Sequence, residues 1–71
     1  MYYIITKPEC VHCETAKAHL KERGEEYLSW AYDTHPLIPK LMKLTGLKTV
    51  PQIWHDHVHV GGAVELKHYL P

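Results

Sequence analysis

The sequence predicts an α/β fold of order βαβαββα, a four-stranded mixed sheet with helices on both faces. Two observations carry this. First, a β-branched and aromatic run, Tyr2 to Thr6, is followed by a helical pattern and then a second strand-like run. Strand, helix, strand in close succession implies a parallel pair with a right-handed crossover. Second, two later strand-like runs are separated only by a tight connection, which implies an antiparallel hairpin. With 71 residues, the expectation is one domain, 1–71, with a small core.

Tyr2 to Thr6 reads as a buried strand, ended by Pro8. A helix is expected from Val11 to Arg23. Cys13, Ala16 and Leu20 share one face there, while Glu14, Lys17 and Lys21 lie mostly away from it. Gly24 is a natural stop. Glu26 to Tyr32 is the second strand. Asp33 and Thr34 offer cap oxygens for the next helix, and Pro36 suits its first turn. Leu37, Leu41 and Leu44 repeat at helical spacing, with Ile38 and Met42 beside them. Pro39 lacks a backbone donor, so the helix is placed to start near Pro39. Gly46 ends it. Val50 to Trp54 is the third strand and Val58 to Val60 the fourth, joined through Trp54-His55-Asp56-His57. Gly61-Gly62 breaks the pattern, and a last helix runs from Ala63 to Leu70.

Composition excludes several classes. Apolar residues make up 45% of the chain and no segment is of low complexity, so the chain is globular rather than disordered. Formal net charge is zero and the basic residues are scattered, so no nucleic-acid footprint is present. No apolar run is long enough to span a bilayer, and MYYIITKPEC does not read as a signal peptide. The expected location is the cytoplasm, with no membrane partner and a monomeric state.

Both cysteines fall in KPECVHCETAK, Lys7 to Lys17. In a reducing compartment such a pair is catalytic or metal-binding rather than a structural staple. Cys10 sits where a strand has ended and a helix begins. Unsatisfied N–H groups and the positive end of the helix dipole favour a thiolate there. Lys7 adds to this, Glu9 opposes it, and His12 adds to it when protonated. Cys13 lies nearly one turn on, facing the sheet and less exposed. Cys10 is therefore the expected nucleophile and Cys13 the resolving thiol. A zinc site is the rival reading, since the chain has seven histidines and His55, His57 and His59 alternate as if lining one strand face. The usual spacing from cysteine pair to histidine pair is absent, so no metal is expected.

KPECVHC after the first strand, TVPQIW at Thr49 to Trp54, and Gly61-Gly62 before a helix together resemble a short dithiol glutaredoxin. The resemblance spans essentially the whole chain. It implies a thioredoxin-like fold, a cis peptide before Pro51, and thiol–disulfide exchange with glutathione as co-substrate. It also implies glutathione contacts at Lys7, Thr49, Val50, Pro51, Gly62 and Ala63, with His12 grouped with them at the rim. Lys48 stands at an often basic position. Implied partners are glutathione and disulfide-containing proteins, with ribonucleotide reductase as a candidate.

The sequence also departs from the family pattern. Val11-His12 replaces the frequent Pro-Tyr between the cysteines. Ala63-Val64 replaces a polar residue and an aspartate that hold the γ-glutamyl end. The turn Asp56-His57 replaces Asp-Gly, which asks His57 for an uncommon backbone region. These changes leave two alternatives open. One is a glutaredoxin-like redoxin reduced by thioredoxin reductase. The other is a metal or iron–sulfur module using the cysteine pair.

Overall fold

The computed structural model describes residues 1–71. The elements in chain order are β1 (Tyr2–Thr6), α1 (Val11–Glu22), β2 (Tyr27–Ala31), α2 (Leu37–Leu44), β3 (Gln52–His55), β4 (Val58–Gly61) and α3 (Ala63–Tyr69). One four-stranded sheet has the order β2-β1-β3-β4. β1 pairs parallel with β2 and antiparallel with β3, and β3 pairs antiparallel with β4. The expected α/β architecture is the observed one.

The central strand β1 places Tyr2, Ile4 and Thr6 on one face, all buried. Ile4 opposes Ile53 across the β1–β3 ladder. Ala16 and Leu20 of α1 and Leu66 of α3 close over them, and these residues with Tyr2 form the core. Removing these apolar side chains from water is the main stabilising term in so small a domain. The chain end is tied to α1: the His19 ring contacts the Leu70 carbonyl, and Arg23 Nε donates to Pro71 O at 2.8 Å.

α2 lies over the opposite face, where Ile5 and Trp54 meet Leu41 and Met42 around a cavity. Its packing is loose. Met42 is its one buried residue, whereas Leu44 is 83% exposed and Leu37 and Leu41 are also exposed. A cleft of about 580 Å³ remains between α2 and the aromatic sheet residues Tyr3, Trp30 and Trp54.

Both expected glycine stops behave as such. Gly24 has φ 71° and Gly46 has φ 78°. At each, the next N–H reaches back five residues, Glu25 N to Leu20 O at 2.9 Å and Leu47 N to Met42 O at 2.8 Å. That bond satisfies carbonyls the helix end leaves open.

Several expected boundaries and devices differ. α2 begins at Leu37, not near Pro39. Pro39 is its third residue, and a first-turn N–H has no intrahelical partner to lose. The expected cap oxygens of Asp33 and Thr34 are not used. Thr34 Oγ1 donates to Ala31 O at 2.7 Å, and the His35 ring accepts the Leu37 N–H at 3.1 Å. β3 starts at Gln52 rather than Val50, because pairing with β1 begins at Gln52 opposite Ile5. Trp54 and His55 belong to β3, so Asp56-His57 alone makes the turn. Asp56, not His57, takes the left-handed backbone there, at φ 53°. The Met1 ammonium meets its carboxylate at 3.0 Å. That donor holds the Asp56 carboxyl below its ordinary range.

Candidate active site

Topology gathers the functional segments at one end of the sheet. Ile5 near the end of β1 opposes Gln52 at the start of β3. The loop leaving β1 and the residues entering β3 therefore lie at the same end. β4 brings Gly61 opposite Ile53, which delivers Gly61-Gly62 and the start of α3 there too. An irregularity between Ile53 and Trp54 leaves Val60 without a partner, as in a β-bulge, and re-aims the chain just before the glycines.

Cys10 is the N-cap of α1, with extended backbone at φ −106° and ψ 107°. The preceding Glu9 is left-handed at φ 55°, a region costly for a non-glycine residue, and it turns the chain from the β1 exit into the helix. No feature of the composition signalled that turn. Cys10 and Cys13 are joined as a disulfide with Cα atoms 5.2 Å apart. The Cys13 N–H donates to Cys10 Sγ at 3.1 Å, and the Glu14 N–H to Cys10 O at 3.1 Å. Cys10 is 7% exposed and Cys13 1% exposed. Cys13 packs from the same helix face as Ala16 and Leu20.

Two clefts flank the strip before β3. One, of about 400 Å³, is lined by Lys7, Lys48, Tyr32 and Met42 together with Thr49 and Val50. The other, of about 190 Å³, is lined by His12, Thr49, Val50, Pro51 and the stretch Gly62 to Glu65. Thr49 and Val50 are the shared wall. Lys7, His12, Thr49, Val50, Pro51, Gly62 and Ala63, singled out from sequence, all lie on these clefts. The Val50–Pro51 peptide is cis. Neither the N–H nor the carbonyl of Val50 takes part in a backbone hydrogen bond. Gln52 Nε2 donates to Thr49 O at 2.9 Å and fixes the strip from behind.

Glu65 was not singled out from sequence. Its Oε1 accepts the Gly62 N–H at 2.7 Å, which caps the start of α3. The spacing from N-cap to a glutamate three residues on was the available signal. Gly61, at φ 119°, packs its backbone against Glu65, so a Cβ there would sit 2.8 Å from Glu65 Cγ.

The histidines do not share a face. His55 stacks on Tyr2, at 4.3 Å between ring centroids, and its Nδ1 lies 2.7 Å from the Tyr69 hydroxyl. His59 contacts Trp54 and lies 2.8 Å from Gln52 Oε1. Alternation along the sequence failed as a guide because the Asp56-His57 turn separates two strands.

Comparison with known proteins accords with this geometry. The glutaredoxin family model matches residues 3–60. A glutaredoxin from Pseudomonas aeruginosa is 39% identical over 64 residues, covering 89% of this chain and 76% of that protein. The solution structure of glutaredoxin from Brucella melitensis superposes with a TM-score of 0.78 at 34% identity, covering 94% of this chain and 74% of that one. The glutaredoxin-like NrdH-redoxin from Escherichia coli shares the fold, with a TM-score of 0.83 at 19% identity over 99% of this chain and 95% of that one. A cysteine pair capping α1 on a thioredoxin-type sheet, and a family match over most of the chain, lead to one conclusion: the chain belongs to the glutaredoxin family.

Proposed function

We propose that the chain is a dithiol thiol–disulfide oxidoreductase in which Cys10 attacks and Cys13 resolves. The observation that carries the reading is the Cys13 N–H on Cys10 Sγ at the first turn of α1. After reduction, that donor and the helix N-terminus favour a Cys10 thiolate. The thiolate attacks one sulfur of a substrate disulfide. A Cys10–substrate bond forms, the substrate S–S bond breaks, and the other substrate sulfur leaves as a thiolate that takes up a proton. Cys13, after losing its proton, attacks Cys10 Sγ. The Cys10–Cys13 bond forms and the second substrate thiol is released. Two electrons pass from the dithiol to the substrate, and the oxidised pair is the state described above.

Glutathione is proposed as the reductant and, in mixed disulfides, as part of the substrate. Its extended backbone suits the unpaired Val50 N–H and carbonyl. Lys7 and Lys48 offer a carboxylate site, with His12, Pro51, Gly62 and Ala63 completing the walls. Protein disulfides, with ribonucleotide reductase as the preferred candidate, are the proposed substrates of a monomeric, cytoplasmic enzyme.

A second reading makes thioredoxin reductase the electron donor. Ala63 and Val64 present no polar side chain at the start of α3, and Glu65 already takes the Gly62 N–H. A coupled NADPH assay separates the two readings. Turnover with glutathione and glutathione reductase supports the first. Turnover only with thioredoxin reductase replaces glutathione while keeping the dithiol chemistry. Turnover with neither contradicts both.

A further inference from the structure

The clefts that meet at Thr49 and Val50 carry opposite charge. Lys7 and Lys48 wall one of them, are exposed, and pair with no acid. Glu65 is the one acid on the other. One of its oxygens is held by the Gly62 N–H at 2.7 Å, which anchors the carboxylate at the cleft wall, and it pairs with no base. Ala63 and Val64 beside it are apolar. His12 lines this cleft as well.

Val50, whose N–H and carbonyl take part in no backbone hydrogen bond, lies on the wall both clefts share, so a strand paired with it borders both. Alternate residues of a strand share a face and lie about 6.5–7 Å apart. The residues two before and two after a substrate cysteine therefore face the same side as that cysteine, one toward each cleft.

We infer that the protein segment presented to Cys10 is an extended peptide of ordered polarity. It carries an acidic side chain on one flank of its cysteine, toward Lys7 and Lys48, and a basic one on the other, toward Glu65. The inference rests on the oxidoreductase reading and narrows its substrate class. Reversing the order of the flanking charges places like charges together at both clefts. Substrate choice then comes from repulsion as much as attraction.

The test uses capped pentapeptides with a central cysteine, glycine on each side, and glutamate or lysine at the ends in all four combinations. Each cysteine is joined by a disulfide to 2-mercaptoethanol, a neutral thiol. The reduced full chain supplies two electrons per peptide, and release of 2-mercaptoethanol gives the rate. One mixed-charge order should react about three- to fivefold faster than its reverse, the scale of exposed ion pairs. The gap should shrink at 0.5 M salt. Glu65→Gln keeps an oxygen for the Gly62 N–H and leaves His12 in place. It should abolish the preference for lysine at one flank and preserve that for glutamate at the other. Lys48→Gln should weaken the glutamate preference. Equal rates for the two orders, or a preference unmoved by both substitutions, would overturn the inference and leave the oxidoreductase reading standing. Reduction of none of the four peptides would overturn both.

Discussion

The backbone N–H of Cys13 points at the sulfur of Cys10, 3.1 Å away. Because Cys10 is also the N-cap of α1, one sulfur does two jobs. It satisfies a helix-end donor, and it sits where a developing negative charge is favoured. Cys13 enters the same turn from the core side, nearly inaccessible to a partner. The asymmetry of the pair follows from one helix start.

This asymmetry predicts unequal variants. Cys10→Ser should reduce turnover to background on every substrate. Cys13→Ser should stop protein-disulfide reduction, which needs the second thiol, while some reduction of glutathione mixed disulfides persists. The two substrates measured side by side in the coupled assay check this.

The two faces of the sheet predict unequal packing costs. Leu20 is fully buried against Ile4, Ile53 and Leu66. Leu20→Ala should cost about 2–5 kcal/mol. That is a large share of the total stability of so small a domain. Leu44, 83% exposed on α2, should cost about 0.5 kcal/mol or less on the same change. Urea unfolding midpoints decide it.

Gly61 predicts a backbone effect tied to one neighbour. Alanine there combines the left-handed backbone with a Cβ 2.8 Å from Glu65 Cγ. Gly61→Ala should destabilise by about 1–3 kcal/mol. Part of this should return in a Glu65→Ala background. Gly24→Ala meets nothing within 4 Å and should show the backbone cost alone, about 1–2 kcal/mol. Thermal or urea unfolding of the four variants separates clash from conformation.

Tyr2 predicts an alkaline limb. Burial, then the charges of Glu25, Tyr69 and Asp56, raise its phenol above the ordinary 10.0. The fold favours the neutral phenol, so this contribution is fully present below the unfolded value. It is lost as pH rises through the folded one. Stability should fall from about pH 10 upward, and the fall should be shallower in Tyr2→Phe. Urea midpoints of both proteins across the alkaline range check the difference.

Much of this was legible in the sequence where local pattern and tertiary burial agree. Cys13, Ala16 and Leu20 share a helix face, and that face is the buried one. Gly24 and Gly46 stand where helices must stop. The legible part weakens at α2. Leu37, Leu41 and Leu44 repeat correctly for a helix, yet Met42 faces the sheet, because periodicity says which residues share a face and not which face is covered. Pro39 misled because its cost depends on its position in the turn. Glu9 carries no glycine to announce its backbone, and Glu65 reads as a surface acid until Gly62 is known to be an N-cap. The cleft residues are scattered from Lys7 to Glu65, and without the family resemblance only the β1–β3 and β3–β4 registers together bring them to one end.

In the proposed cycle Cys10 forms the bond to substrate and Cys13 breaks it. Trapping the mixed disulfide separates the two roles. Cys13→Ser is incubated with a disulfide substrate, quenched with acid and digested, and the bonded cysteine is identified by mass spectrometry. One stable substrate adduct is expected on Cys10, and none on Cys13 in the Cys10→Ser protein. A turnover-competent adduct on Cys13 in Cys10→Ser would contradict the cycle.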